Sequence, residues 1–173
     1  LILVLGGARS GKSRYAQQLA EHCWPRPVFL ATAEATDAEM AARIAKHRAA
    51  RGVKWKCVEE PLDLAAGLAR AAGQGDGVLL DCLTVWLGNV LHKEGTTGVA
   101  ARQQALLAAV RARTSALILV SNEVGLGIVP EHPLGREFRD LAGWLNQTLA
   151  AEADAVAFIA AGLPLMLKGA AYL

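Results

Sequence analysis

The chain holds 173 residues with a formal net charge of +2; 53% are hydrophobic and 20% charged. That length suits one domain over residues 1–173 with a core of its own, and the composition excludes a disordered chain. The near-balanced charge argues against a general nucleic-acid binder, whose basic stripe shows in the totals.

Cys23, Cys57 and Cys82 are widely spaced, match no zinc or CxxC pattern and suit a reducing cytoplasm. No uninterrupted apolar run approaches the roughly 18–20 residues of a membrane-spanning helix. LILVL, Leu1–Leu5, is too short for a signal peptide, and because the chain opens without methionine, leading residues are expected to precede it.

In chain order, LILVL reads as a strand apolar on both faces, as in a covered parallel sheet. It runs into Gly6-Gly7-Ala8-Arg9-Ser10-Gly11-Lys12-Ser13, which fits the pattern GxxxxGK followed by Ser or Thr, and then into a helix over Lys12–His22. Each part has a task. Gly6 and Gly11 allow a tight turn whose N–H groups converge on phosphate oxygens, and the helix adds its positive end. Lys12 is placed for the β- and γ-phosphates of a nucleoside triphosphate, Ser13 for Mg²⁺.

PVFLAT, Pro27–Thr32, is the next strand. A helix over Asp37–Ala50 follows, opened by a capping box from Thr36 to Glu39. Met40, Ile44, His47 and Arg51 share one face of it, and Arg43, Lys46, Arg48 and Arg51 surround the imidazole. Two readings stand at this point. In one, cations simply complement a helix C-terminus and His47 packs beside a solvated end. In the other, the cluster receives a polyphosphate and a neutral His47 attacks it to form a covalent intermediate. The cations then lower the imidazole pKa and steady the leaving pyrophosphate, while the helix end pulls the pKa upward.

A helix over Leu62–Ala72 precedes the strand GVLLDC, Gly77–Cys82. Asp81, closing that strand, is either a Mg²⁺-linked carboxylate beside the cradle or a plain strand-end cap; the cradle favours the first. A helix from about Gly98 to Thr114, the strand ALILVS (Ala116–Ser121), a helix over Pro133–Ala153 and the strand AVAFIA (Ala155–Ala160) follow. Leu134, Phe138, Leu141, Ala142, Leu145 and Leu149 mark the buried face of the last helix. LPLMLKG reads as an edge strand at most, since Pro164 excludes a central position. The β–α alternation defines an open α/β sheet.

GGARSGKSR, FLATAEATDAEMAARIAKHRAARG, VEEP, LLDCLTVWLGN, VSNEVGLGIVPEHPLGREFRDLAGWLNQTLA and GLPLMLKG together resemble one family over essentially the whole chain. It is the bifunctional adenosylcobinamide kinase / adenosylcobinamide-phosphate guanylyltransferase family. The segments around EMAARI and SNEVG are more specific than the phosphate loop. The resemblance implies a P-loop NTPase of RecA-like fold, mostly parallel, with helices on both faces, acting in the cytoplasm as a homo-oligomer, a trimer expected. It implies phosphorylation of adenosylcobinamide by ATP or GTP with Mg²⁺. GMP transfer from GTP then gives adenosylcobinamide-GDP and pyrophosphate.

By the same resemblance His47 carries GMP. Gly6 to Ser13, Ala31, Thr32, Ala33, Arg48, Ala49, Ala50 and Arg51 contact nucleotide, and Glu59 and Asp81 are acidic contacts. Lys46 stands where some relatives carry a second histidine; His22, His92 and His132 are bystanders. Glu123 is a base or metal-side carboxylate, or else shapes its loop. Trp86 and Trp144 either pack internally or offer flat surface to the corrin ring. Two rivals stay open: a plain kinase with a structural His47, and an NTP-driven binding module.

Overall fold

The computed structural model describes residues 1–35, 38, 41, 42, 45 and 52–170. Among them, β1 (Ile2–Gly6), β2 (Pro27–Ala31), β3 (Lys56–Glu59), β4 (Gly77–Asp81), β5 (Ala116–Asn122), β6 (Ala155–Ala160) and β7 (Leu163–Lys168) form a single sheet. Their order is β3-β2-β4-β5-β1-β6-β7. Neighbours are parallel except β6 and β7, which are antiparallel. The helices are α1 (Lys12–Cys23), α2 (Leu64–Ala71), α3 (Leu83–Arg111) and α4 (Pro133–Glu152).

Alternation along the strands decides which helix each side chain meets. Leu3, Leu5, Val28, Leu30, Val78, Leu80, Leu117 and Leu119 pack with residues of α2, α3 and α4. Val4, Phe29, Leu79, Ile118 and Val120 pack on the other face with Tyr15, Ala16, Leu19 and Ala20 of α1. Both faces are covered, which is why these strands read as unbroken apolar runs.

Two differences from the sequence reading have physical causes. First, the helix expected from Gly98 is only the second half of α3, which starts at Leu83 and bends at Gly95, where φ is 67°. Leu83, Trp86, Leu87, Val90 and Leu91 lie at helical spacing and are buried, but Gly88 and Asn89 interrupt the stretch in sequence. Second, β3 was not anticipated: it is short and largely exposed, and pairing with β2 rather than apolar alternation makes it a strand. Of the two readings open for Trp86, internal packing holds: it has 0% exposure and its indole N–H donates to Leu62 O at 2.8 Å, so it offers no flat surface. Trp144, by contrast, is 61% exposed.

LPLMLKG becomes β7 at the sheet edge, where Pro164 is tolerated. Of the helix expected over Asp37–Ala50, Ala38, Ala41, Ala42 and Ala45 are helical and exposed. Thr36, Asp37, Glu39, Met40, Arg43, Ile44, Lys46, His47, Arg48, Ala49, Ala50 and Arg51 lie outside the described residues.

Candidate nucleotide site

β1 leaves the sheet at Gly6 and re-enters order at α1, and the loop between them forms a cradle. Gly11 caps α1 at φ 96° with no side-chain hydrogen bond, and the first turn carries no acidic residue. The leading amides of α1 are therefore available to an anion, and no carboxylate competes for them. A Cβ on Gly6 would sit 2.5 Å from Ser10 Oγ and 2.6 Å from the carbonyl oxygen of Ile159, so only glycine fits. Lys12 is 9% exposed, and its Nζ donates to Gly7 O at 3.1 Å, which folds the ammonium back over the loop.

The connections leaving the sheet explain why the cradle lies here. β1 is followed by α1 on one face, whereas its neighbour β5 is followed by α4 on the other. Adjacent strands whose chains depart in opposite directions open a crevice at their carboxyl ends, the usual ligand position in an open α/β sheet. Gly6 and Asn122 stand opposite each other at its floor, and Glu123 N–H donates to Gly6 O at 3.0 Å.

The acidic residues come to the same end of the sheet. Ala31 is in register with Glu59 on one side and Asp81 on the other. Two strand spacings separate these carboxylate-bearing positions, about 10 Å. Asp81 shares the parity of Leu79, and Glu59 stands across from Ala31, two residues beyond Phe29; both therefore issue on the α1 face. Asp81 is half-buried and Glu59 exposed. Burial, followed by the charge of Asp81, pushes the Cys82 thiol up to about 11, partly opposed by Lys12. Cys82 thus stays a protonated thiol, and it feels both the cradle lysine and the strand-end carboxylate.

Thr32 has a supporting task. It is fully buried; its hydroxyl donates to Cys82 O at 2.8 Å and accepts from Cys82 N–H at 2.9 Å, tying the ends of β2 and β4 together. Asn89 Nδ2 donates to Thr32 O at 2.9 Å and to Pro61 O at 3.2 Å, which fixes the loops leaving β2 and β3 against α3. Ala31 and Ala33 are half-buried beside it. Of the two glutamates in VEEP, Glu60 is structural: it accepts from Leu62 N–H and Asp63 N–H and pairs with Arg70 at 2.7 Å.

Glu123 shapes its loop, its Oε1 accepting from Gly125 N–H at 2.6 Å. His22, His92 and His132 are exposed, and His132 Nδ1 accepts from Leu134 N–H at the start of α4. A cavity of about 230 Å³ lies at the opposite, amino end of β4 and β5, walled largely by alanines of α2 and α3. It holds no group suited to the chemistry at the cradle. Sequence reasoning missed the contact behind the loop: Gly162 N–H, in the β6–β7 turn, donates to Ser10 O at 2.8 Å. Paired positive φ values at Ala161 (51°) and Gly162 (82°) mark that two-residue turn, and the pair AG is a weak turn signal in sequence.

A glycine loop on β1, a buried lysine at the head of α1 and an acidic residue on β4, one strand removed, define a P-loop nucleotide-binding protein of RecA-like topology. Within that class the comparisons are specific. The family model for cobinamide kinase / cobinamide phosphate guanyltransferase matches residues 2–167. The bifunctional adenosylcobalamin biosynthesis protein CobP of Pseudomonas aeruginosa is 48% identical over 96% of each chain. The CobU proteins of the same description from Salmonella typhimurium and Escherichia coli are each 39% identical, over 97% of this chain and 99% of theirs. The chain belongs to the cobinamide kinase / cobinamide phosphate guanyltransferase family. It is a nucleotide-utilising enzyme with the kinase and guanylyltransferase activities of that family.

Proposed function

We propose that this chain, as one domain, phosphorylates adenosylcobinamide and then guanylylates the product through a GMP–histidine bond at His47. The observation that carries this reading is the family match from residue 2 to 167, which runs through both the phosphate loop and the His47 segment. The two steps act at different phosphorus atoms and so need different machinery. γ-Phosphoryl transfer is mostly positioning and charge stabilisation, the work of a cradle with a buried lysine. Attack at the α-phosphorus needs a nucleophile of its own.

In the second step a neutral His47 nitrogen attacks the α-phosphorus of GTP. The bond to the bridging oxygen breaks and pyrophosphate leaves. A phosphate oxygen of adenosylcobinamide phosphate then attacks the same phosphorus, the P–N bond breaks, and adenosylcobinamide-GDP is released. Arg48 and Arg51 steady the pyrophosphate. Ala31, Thr32, Ala33, Ala49, Ala50 and Glu59 complete the nucleotide contacts, with the Thr32 hydroxyl also bound to Cys82.

The donor set at the cradle fits Mg²⁺: a hydroxyl at Ser13 and a carboxylate at Asp81 are hard oxygen ligands, with substrate phosphates left to complete the shell. Among the described residues no group of three His, Cys, Asp or Glu gathers into a metal site. When bound, Mg²⁺ neutralises charge on the β- and γ-phosphates. A cytoplasmic homotrimer is part of the proposal. Three free cysteines support the compartment, and apolar side chains exposed on β7, Leu163, Leu165 and Leu167, support assembly.

GTP radiolabelled at the α-phosphate tests the reading. The wild-type protein should take up label in an acid-labile, base-stable bond, and the His47→Ala variant should take up none. Label on the variant would refute the histidine assignment. Label transferred only from the γ-phosphate would leave a plain kinase.

A further inference from the structure

We propose that Asn122 is a catalytic residue of the kinase step, its carboxamide oxygen accepting the hydrogen bond of the attacking hydroxyl at the γ-phosphate end of the cradle. This rests on the kinase activity stated above and adds to it a residue that the motif reading did not single out.

Four observations converge. Asn122 is the last residue of β5, across from Gly6 where the phosphate loop begins, and so stands at the floor of the crevice. Its side chain follows the parity of Ile118 and Val120, whose partners are on the α1 face, and so points to the face that also carries Lys12 and Asp81. Its backbone is held from the opposite face: the N–H donates to Thr84 Oγ1 at 2.7 Å, and the carbonyl accepts from Asn146 Nδ2 at 3.1 Å. Yet Oδ1 of the same residue is buried and has no hydrogen-bond partner.

A buried, unpartnered acceptor is costly. Here it is also preorganised, because a hydroxyl from α3 and a carboxamide from α4 fix the backbone that carries it. Asn146, on the apolar face of α4, is only 5% exposed; its Nδ2 holds Asn122, while its own Oδ1 is also buried without a partner. Placement selects the ligand. β5 lies between β1, which carries the phosphates, and β4, which carries Asp81. A group at its end therefore meets the terminal phosphate and whatever attacks it. Oδ1, unlike the NH₂ group of the same side chain, cannot bond a phosphate oxygen, which has no proton to give. It can hold a hydroxyl.

In the step itself the acceptor oxygen forms a bond to the γ-phosphorus and the bond from that phosphorus to the β-phosphate oxygen breaks. The nucleoside diphosphate leaves, and the hydroxyl proton passes to an oxygen of the transferred phosphoryl group. Asn122 takes no proton. It aims the hydroxyl.

The test measures both half-reactions and nucleotide affinity in full-length Asn122→Ala and Asn122→Asp variants. Asn122→Ala should lower kinase kcat by about 100-fold, the scale of a lost positioning contact. Binding of a fluorescent ATP analogue, and guanylyl transfer to an already phosphorylated acceptor, should stay within about threefold, as expected of a contact made to neither. Asn122→Asp keeps an acceptor oxygen and should recover at least about tenfold over the alanine variant. Kinase kcat unchanged in Asn122→Ala would overturn the proposal, as would an equal loss of both half-reactions and affinity, or an aspartate no better than alanine. If the wild-type protein phosphorylates no corrinoid alcohol, the functional reading falls and takes this inference with it; an active wild type matched by Asn122→Ala removes this inference alone.

Discussion

At the scale of single residues, the site depends on hydrogen bonds made within the protein. Thr32 illustrates this: Thr32→Val keeps the shape but leaves both the N–H and C=O of Cys82 buried without a partner. The expected loss is about 2–4 kcal/mol, read as a lower midpoint in urea with an unchanged slope. Gly6→Ala acts differently. Its Cβ would meet the Ile159 carbonyl at 2.6 Å, and backbone does not yield as a side chain does. Titration with a fluorescent nucleotide should show at least about tenfold weaker binding, the scale of a misplaced contact shell. Part of the candidate site was legible here. The phosphate loop and Asp81 could be read because their residue types are demanded by phosphate and cation chemistry at a set place on a strand. Thr32 could be read only as part of a segment, because its role is set by Cys82, fifty residues away in sequence. Asn122 closes an apolar strand as Asp81 does, and that parallel was the signal available to find it.

At the scale of elements, helix starts carry the electrostatics. Asp63 caps α2, accepting from Ala66 N–H at 3.0 Å and pairing with Arg102 at 2.8 Å. The Ala66 amide, then Arg102, hold its carboxyl below the ordinary value against some opposing burial. For Glu60 burial is the largest influence and acts upward, but Arg70 and the Asp63 and Leu62 amides outweigh it, so this carboxyl is also lowered. A lowered folded-state pKa stabilises above the unfolded value, near 4, and that contribution is lost as pH falls through the folded value. Asp63→Ala should therefore cost about 1 kcal/mol at neutral pH, lowering Tm by about 2–4 °C. Thermal melts taken at successively lower pH should show the gap between variant and wild type closing below about pH 4. The elements themselves were legible where apolar runs are long. The first half of α3 was not, because Gly88 and Asn89 break its pattern, and Asn89 is there to hold two loops rather than to favour a helix.

At the scale of the whole molecule, the sheet has unequal edges. β3 bounds one side with Lys56, Cys57, Val58 and Glu59, whereas β7 bounds the other with Leu163, Leu165 and Leu167, each more than half exposed. An open strand edge carrying leucines is a template for another chain. Replacing Leu163 and Leu165 with lysine should leave the circular dichroism spectrum unchanged and shift sedimentation from an assembly to a species near 18.2 kDa. A wild-type protein already sedimenting at that mass would remove the trimer from the proposal. The order of strands could not be read from the sequence, since it depends on which helix covers which face, and that is fixed only when strands pair.

The amide of Gly162 on Ser10 has a practical corollary. Two-residue hairpin loops are where protein engineers graft tags and reporters, because added length normally disturbs nothing beyond the tip. In this molecule the tip is a prop behind the triphosphate-gripping loop, so splicing even a few serines between Ala161 and Gly162 should blunt ATP capture while the melting curve scarcely moves.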